Sequence, residues 1–273
     1  MTDQELTQRF AFAQDLMVRA GALALGYFQN LSALTIKSKG VQDMASEADL
    51  QTELLIQTSL KQRFPEDAFF GEETGPTALE GARGVWVVDP IDGTQPFLCG
   101  MAAWCISIAF VADGVTELGL VFAPASGELF LARRGHGATL NGTPIRATEA
   151  TTLREGITSM GYSVRVGPKQ LIPAMTRLLE AGGMFHRNGS GAISLCYVAA
   201  GRLLGYVEAH INSWDCLAGL LMIEEAGGTV CDFLAGDGLS LGNALVAGGR
   251  GVYPALLDVL GDTGLRAAWR DGV

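Results

Sequence analysis

The segment Trp86-Val87-Val88-Asp89-Pro90-Ile91-Asp92-Gly93-Thr94 restricts the possible folds of this chain more than any other stretch. Its apolar, β-branched start reads as a buried strand, and the strand ends in two carboxylates three positions apart. Pro90 fixes its own φ and has no N–H, while Gly93 permits a backbone geometry that other residues resist. Both carboxylates can therefore be turned toward one point beyond the strand end. The backbone N–H groups of Gly93 and Thr94 are then free to face an anion.

Two further acidic sites border apolar runs. Gly71-Glu72-Glu73-Thr74-Gly75 follows Ala68-Phe69-Phe70, and Trp214-Asp215 opens a helical pattern. Each has a bland reading alone: Asp-Gly is a common turn, Glu72-Glu73 fits a solvated loop, and Asp215 fits a helix cap. The three together, each at the edge of an apolar run, are much harder to dismiss. The balance of 29 Asp plus Glu against 19 Lys plus Arg, a net charge of -10, suits oxygen ligation of a hard cation. With no Lys/Arg-rich run, it argues against a nucleic-acid backbone as the main partner.

Competing chemistries fail on spacing. His136, His186 and His210 form no His-Glu-x-x-His pattern, Gly236-Asp237-Gly238 and Gly248-Gly249 lack the Gly-Lys-Ser/Thr of a nucleotide loop, and Ser159, Ser190 and Ser194 lie in no Gly-x-Ser-x-Gly elbow. Cys99, Cys105, Cys196, Cys216 and Cys231 are scattered and odd in number, so they read as reduced core residues of a cytoplasmic protein. Asp15 and Arg19 interrupt the apolar N-terminal stretch, which is read as neither a signal peptide nor a membrane span.

With 48% hydrophobic residues among 273, the chain can bury one large core or two smaller ones packed together. Leu6, Phe10, Ala13, Met17, Ala20, Ala24 and Phe28 recur at helical spacing, and a second helix is expected from about Glu47 to Arg63 with Leu50, Leu54, Ile56 and Leu60 inward. Strands are expected at Val85 to Val88, Cys105 to Val111, Leu118 to Phe122 and Leu129 to Ala132, followed by a hairpin turn at Asn141-Gly142. A soft boundary near Arg146 to Arg154 divides an N-terminal α+β domain (1–150), carrying most metal ligands, from a C-terminal α/β domain (151–273) supplying Asp215. The second half alternates strands at Leu204 to Val207 and Leu245 to Ala247 with helices at Pro173 to Ala181, Ile193 to Ala200 and Asp215 to Ala226.

Gly71-Glu72-Glu73, Asp89-Pro90-Ile91-Asp92-Gly93-Thr94 and Trp214-Asp215-Cys216-Leu217-Ala218-Gly219 resemble the signatures of the inositol monophosphatase family, a group of Mg²⁺-dependent, Li⁺-sensitive phosphatases. The resemblance continues through Lys37, Asp49, the Glu128 to Gly142 hairpin and Gly189-Ser190-Gly191-Ala192. It implies a layered α-β-α-β-α sandwich of the sugar phosphatase type, a homodimer, and metal-assisted hydrolysis of a small phosphate monoester. Glu72, Asp89 and the carbonyl of Ile91 would hold a first Mg²⁺; Asp89, Asp92 and Asp215 would hold a second. Glu72 would help bind a third, weaker ion, and Mn²⁺ is a possible substitute. Asp49 and Thr94 match positions that orient the nucleophilic water, and Gly93, Thr94 and Gly191 match positions beside the phosphate and substrate. Glu208 matches a glutamate that reads sugar or inositol hydroxyls, and Asn212 stands where animal enzymes have histidine.

Magnitudes agree with that division of labour. Enhancements of phosphate-monoester hydrolysis reach roughly 10²¹-fold, whereas side-chain acid–base catalysis supplies only about 10² to 10⁴. Positioning and cations must supply the rest. Inositol monophosphate is the first expectation for the substrate; histidinol phosphate and fructose 1,6-bisphosphate are alternatives on the same fold. A reading of another class is a macromolecule-binding regulatory protein with incidental phosphatase activity.

Overall fold

The computed structural model describes residues 1–34, 36–40, 43–77 and 81–261. Its first half begins with α1 (Asp3–Phe28), a two-stranded ribbon of β1 (Ile36–Gly40) and β2 (Asp43–Ser46), and α2 (Glu47–Arg63). There follow β3 (Ala68–Gly71), β4 (Gly75–Pro76), β5 (Val85–Asp92), α3 (Thr94–Leu98), β6 (Cys105–Ala112), β7 (Val115–Ala123), β8 (Glu128–Arg133), β9 (Ala138–Leu140) and β10 (Thr143–Pro144). The second half contains β11 (Ile157–Met160), α4 (Pro168–Glu180), β12 (Met184–His186), α5 (Gly191–Ala199), β13 (Gly205–Ile211) and α6 (Ser213–Glu225). It ends with β14 (Thr229–Val230), α7 (Gly238–Leu241), β15 (Asn243–Gly248) and α8 (Tyr253–Leu260).

An eight-stranded sheet, ordered β10-β9-β8-β7-β6-β5-β3-β4, takes the first half; a five-stranded sheet, β12-β11-β13-β15-β14, takes the second. Period-two alternation explains how they layer. Trp86 and Val88 of β5, with Ile106, Ile108 and Phe110 of β6, bury against α1 and α2. Val87, Cys105 and Ala109 face the other way, against α5 and α6, which in turn rest on Tyr206, Leu245 and Ala247 of the second sheet. The far face of that sheet, through Met160, Val207 and Val246, is covered by α4 and α8. The result is the expected five-layer α-β-α-β-α sandwich, with both sheets covered on both faces.

Several local expectations shift. In α2, Leu54 is exposed and Leu50 half-buried, while Asp49, Thr52 and Glu53 join Ile56 and Leu60 in the interior. The inward face of this helix is partly acidic because it abuts the carboxylate centre. Helix α4 begins at Pro168, so Pro173 lies inside it. Cys99 is exposed, unlike the other four cysteines, all five being free thiols. Among the described residues no helix is long and apolar enough to cross a membrane. The Asn141-Gly142 turn forms with both residues at positive φ, 48° and 78°, and Asn141 Oδ1 also accepts from the Leu129 N–H at 2.8 Å.

Candidate metal centre

A regular strand points residues three apart to opposite faces, so Asp89 and Asp92 should diverge. They do not, because the β5–β6 ladder slips between them: Asp89 pairs with Ser107 and Asp92 with Cys105, leaving three steps on β5 against two on β6. Pro90, unable to donate to the ladder, sits in this bulge. Carboxylate oxygens of Asp89, Asp92 and Asp215 consequently lie within 4.8 Å of one another. Asp215 arrives from the other half of the chain at the third residue of α6, where its Oδ2 accepts from the Asn212 backbone N–H at 3.3 Å and Nδ2 at 3.2 Å.

Each carboxylate is held by donors. Asp89 Oδ1 accepts from the Ile91 N–H at 2.9 Å. Asp92 is met by the start of α5: Oδ2 accepts from Ser190 Oγ at 2.5 Å and the Ala192 N–H at 2.7 Å, and Oδ1 from the Gly191 N–H at 3.3 Å. The Cys105 thiol approaches Asp92 Oδ2 at 3.8 Å. Gly93, at φ 94°, then turns the chain into α3, and a Cβ there would lie 2.6 Å from the Ala103 carbonyl. Thr94 Oγ1 stands 3.3 Å from Asp49 Oδ1 and 3.0 Å from the Ile91 carbonyl. Asp49 Oδ2 caps α2 by accepting from the Ser46 N–H and Oγ at 2.8 and 2.6 Å.

The Glu72-Glu73 loop is anchored by a residue that sequence reasoning missed. Glu53 is fully buried on α2, and its two oxygens accept from the Glu73 N–H at 2.9 Å and the Thr74 N–H at 2.8 Å. A Cβ on Gly71 would lie 2.4 Å from the Glu53 carboxyl, so glycine is required for that approach. The one available signal was its spacing four residues after Asp49, on the same helix face.

The structure thus brings Asp89, Asp92 and Asp215 into one group, with Glu72 half-buried on the wall of the same cavity and Asp49 and Thr94 joined beside the Ile91 carbonyl. Gly191 places its N–H on Asp92, and Gly93 forms the turn between Asp92 and Thr94. Glu208 accepts from the Tyr206 hydroxyl at 2.6 Å, and Asn212, besides holding Asp215, accepts from Arg165 Nη1 at 2.6 Å. Of Lys37, only its place in β1 is described.

Electrostatically the cluster is strained. Burial, then the charges of Glu72, Asp92 and Asp215, push the Asp89 carboxyl well above the usual range. Burial and Asp215 raise Asp92 to about 7 despite its four donors. Burial also raises Asp215, and it lifts Glu208 to about 8. None of the ion pairs among the described residues involves Asp89, Asp92 or Asp215. A carboxylate trio with Asp89 and Asp92 buried, Asp215 half-buried and none of the three in an ion pair fits a hard divalent cation. A thiol or imidazole ligand is not needed, and burial holds the Cys105 thiol protonated. The centre opens into a cavity of about 420 Å³ lined by both halves of the chain.

The model of the inositol monophosphatase family matches residues 5–261. A protein of Haemophilus influenzae named Nus factor SuhB is 36% identical over 237 residues, covering 85% of this chain and 88% of its own. Among solved structures, the extragenic suppressor protein suhB from Bartonella henselae aligns with a TM-score of 0.86 and 29% identity over 92% of this chain and 98% of its own. An inositol monophosphatase from Anabaena aligns at 0.81 and 28%, over 97% and 100%. The name Nus factor lends no support to the expectation that nucleic acid is absent from the partners.

Proposed function

The chain belongs to the inositol monophosphatase family, and from that premise we propose that it is a Mg²⁺-dependent phosphatase hydrolysing small phosphate monoesters, inositol monophosphate first among them. The observation that carries this reading is the trio Asp89, Asp92 and Asp215, brought together by the β5 bulge and the start of α6 and forming no ion pair among the described residues. In the proposal Glu72, Asp89 and the Ile91 carbonyl hold one Mg²⁺, and Asp89, Asp92 and Asp215 hold another. Cations bound there supply charge neutralisation at the phosphoryl oxygens and acidify water.

The chain's own groups supply the positioning. Thr94 Oγ1, directing its hydrogen toward Asp49 Oδ1 or the Ile91 carbonyl, turns its lone pairs outward to accept from the attacking water, which fixes the line of attack. The Gly93 and Thr94 N–H groups receive the phosphate, and Glu208 and Asn212 face the leaving alcohol from the cavity wall. We further assign a homodimeric assembly, as the family resemblance implies.

Phosphate release from inositol phosphate, histidinol phosphate, fructose 1,6-bisphosphate and nucleotide phosphates tests the reading. Turnover is expected with Mg²⁺ and none in excess chelator; undiminished turnover in chelator contradicts it. The relatives' name favours a second reading, a Nus-factor role for this chain. A turnover-deficient variant that still replaces a relative's Nus-factor role in cells would favour that role as independent of catalysis.

A further inference from the structure

The carboxylate centre explains the acidic floor of the cavity but not two arginines on its wall. Arg165, between β11 and α4, and Arg187, between β12 and α5, both line the cavity together with Glu72, Asp92 and Asp215, and both are exposed. Arg9, Arg83, Arg133, Arg134 and Arg202 all form ion pairs with carboxylates. Among the described residues neither Arg165 nor Arg187 does. Arg165 is held by a neutral acceptor, Asn212 Oδ1 at 2.6 Å, and Asn212 in turn holds Asp215, so the guanidinium stands one amide away from the metal centre without a direct ion pair.

Arg187 has no hydrogen-bond acceptor among the described residues. The backbone beside it is fixed, because Asn188 Oδ1 accepts from the Ser190 N–H at 2.9 Å and from Ser194 Oγ at 3.1 Å, on the turn that delivers Ser190 to Asp92.

Facing the carboxylates of Glu72, Asp92, Glu208 and Asp215 across one cavity, Arg165 and Arg187 are its two guanidiniums, and neither is tied up in an ion pair among the described residues. A scissile phosphate belongs with the carboxylate-held cations, which leaves the arginines facing the rest of the substrate. An uncharged polyol would offer them hydroxyls; a carboxylate or phosphate matches the planar fork of donors and the charge. We propose that Arg165 and Arg187 form an anion subsite, so that of two otherwise matched phosphate esters the one whose leaving alcohol carries a second anionic group is turned over with the higher kcat/KM. This rests on the phosphatase reading above.

The test compares kcat/KM of the full-length chain in Mg²⁺ on two matched pairs: fructose 1,6-bisphosphate against fructose 1-phosphate, and 3-phosphoglycerate against glycerol 1-phosphate. The first pair adds a phosphate and the second a carboxylate. The doubly anionic member of at least one pair is expected to be preferred about tenfold or more, the size of a charge-assisted hydrogen bond. Arg187→Gln, which removes no hydrogen bond or ion pair among the described residues, should cut that ratio severalfold, and the added Arg165→Gln should abolish it. Rising salt should shrink the ratio in the wild type but not in the double variant. Equal kcat/KM within both pairs, or a preference that survives both substitutions, overturns the subsite while leaving the phosphatase reading intact. No turnover on any ester overturns both.

Discussion

Glu53 does its work without touching the carboxylate trio: buried on α2, it holds the Glu73 and Thr74 N–H groups and so fixes the loop that presents Glu72. Glu53→Ala would leave both donors unmatched. We expect a loss of about 1–3 kcal/mol for each unmatched donor and a higher Mg²⁺ requirement for turnover, read by urea unfolding and Mg²⁺ titration. Unchanged stability would show that water replaces the carboxylate. At this scale the sequence reveals the residues of the metal motif but not their support. Glu53 lies among Gln51, Thr52 and Leu54, where it reads as a solvated helix position, and its partners lie 20 and 21 residues away across a loop. The Arg165–Asn212 bond, spanning 47 residues, is illegible for the same reason.

Two elements meet at Asp92: the bulge in β5 that turns it toward Asp89, and the first turn of α5 that binds it. Ser190, itself buried, donates to Asp92 while accepting from the Ile193 N–H at 3.1 Å, so one hydroxyl both caps α5 and orients the carboxylate. Ser190→Ala should weaken divalent-cation affinity roughly tenfold to a hundredfold, as loss of an outer partner of a ligand does, and Ser190→Thr should restore most of it. Calorimetric titration with Mn²⁺ decides this; equal affinity in all three proteins would remove Ser190 from the account. The runs that form β5, β6, α1 and α6 are legible from periodicity. The bulge is not, because Pro90 and Gly93 show that the ladder is disturbed without giving the register between strands. The partly acidic inner face of α2 is likewise invisible until its neighbour is known.

The five-layer sandwich places an acidic centre where both halves of the chain contribute carboxylates, and this links cation binding to stability. Burial and Asp215 raise Asp92 from its ordinary 3.8 to about 7, so the folded protein retains a proton that the unfolded chain has lost. That contribution is complete below the ordinary value and disappears as pH rises through about 7. In chelator, Tm should therefore fall between about pH 5 and pH 8, whereas Mg²⁺, which binds the deprotonated carboxylates, should offset the fall increasingly toward the alkaline end. A Tm that rises over this range in chelator would contradict the description of the cluster. At the scale of the whole molecule the fold is legible from the sequence chiefly through the family motifs, since alternation alone fixes neither sheet order nor layering. The most direct test of the central claim is phosphate release from inositol phosphate in saturating Mg²⁺ by wild-type protein and Asp89→Asn, matched by circular dichroism. The account predicts a folded variant whose turnover is lower by at least about 10²-fold, the cost of losing a transition-state electrostatic contact. A cation-loaded variant turning over at the wild-type rate would contradict it.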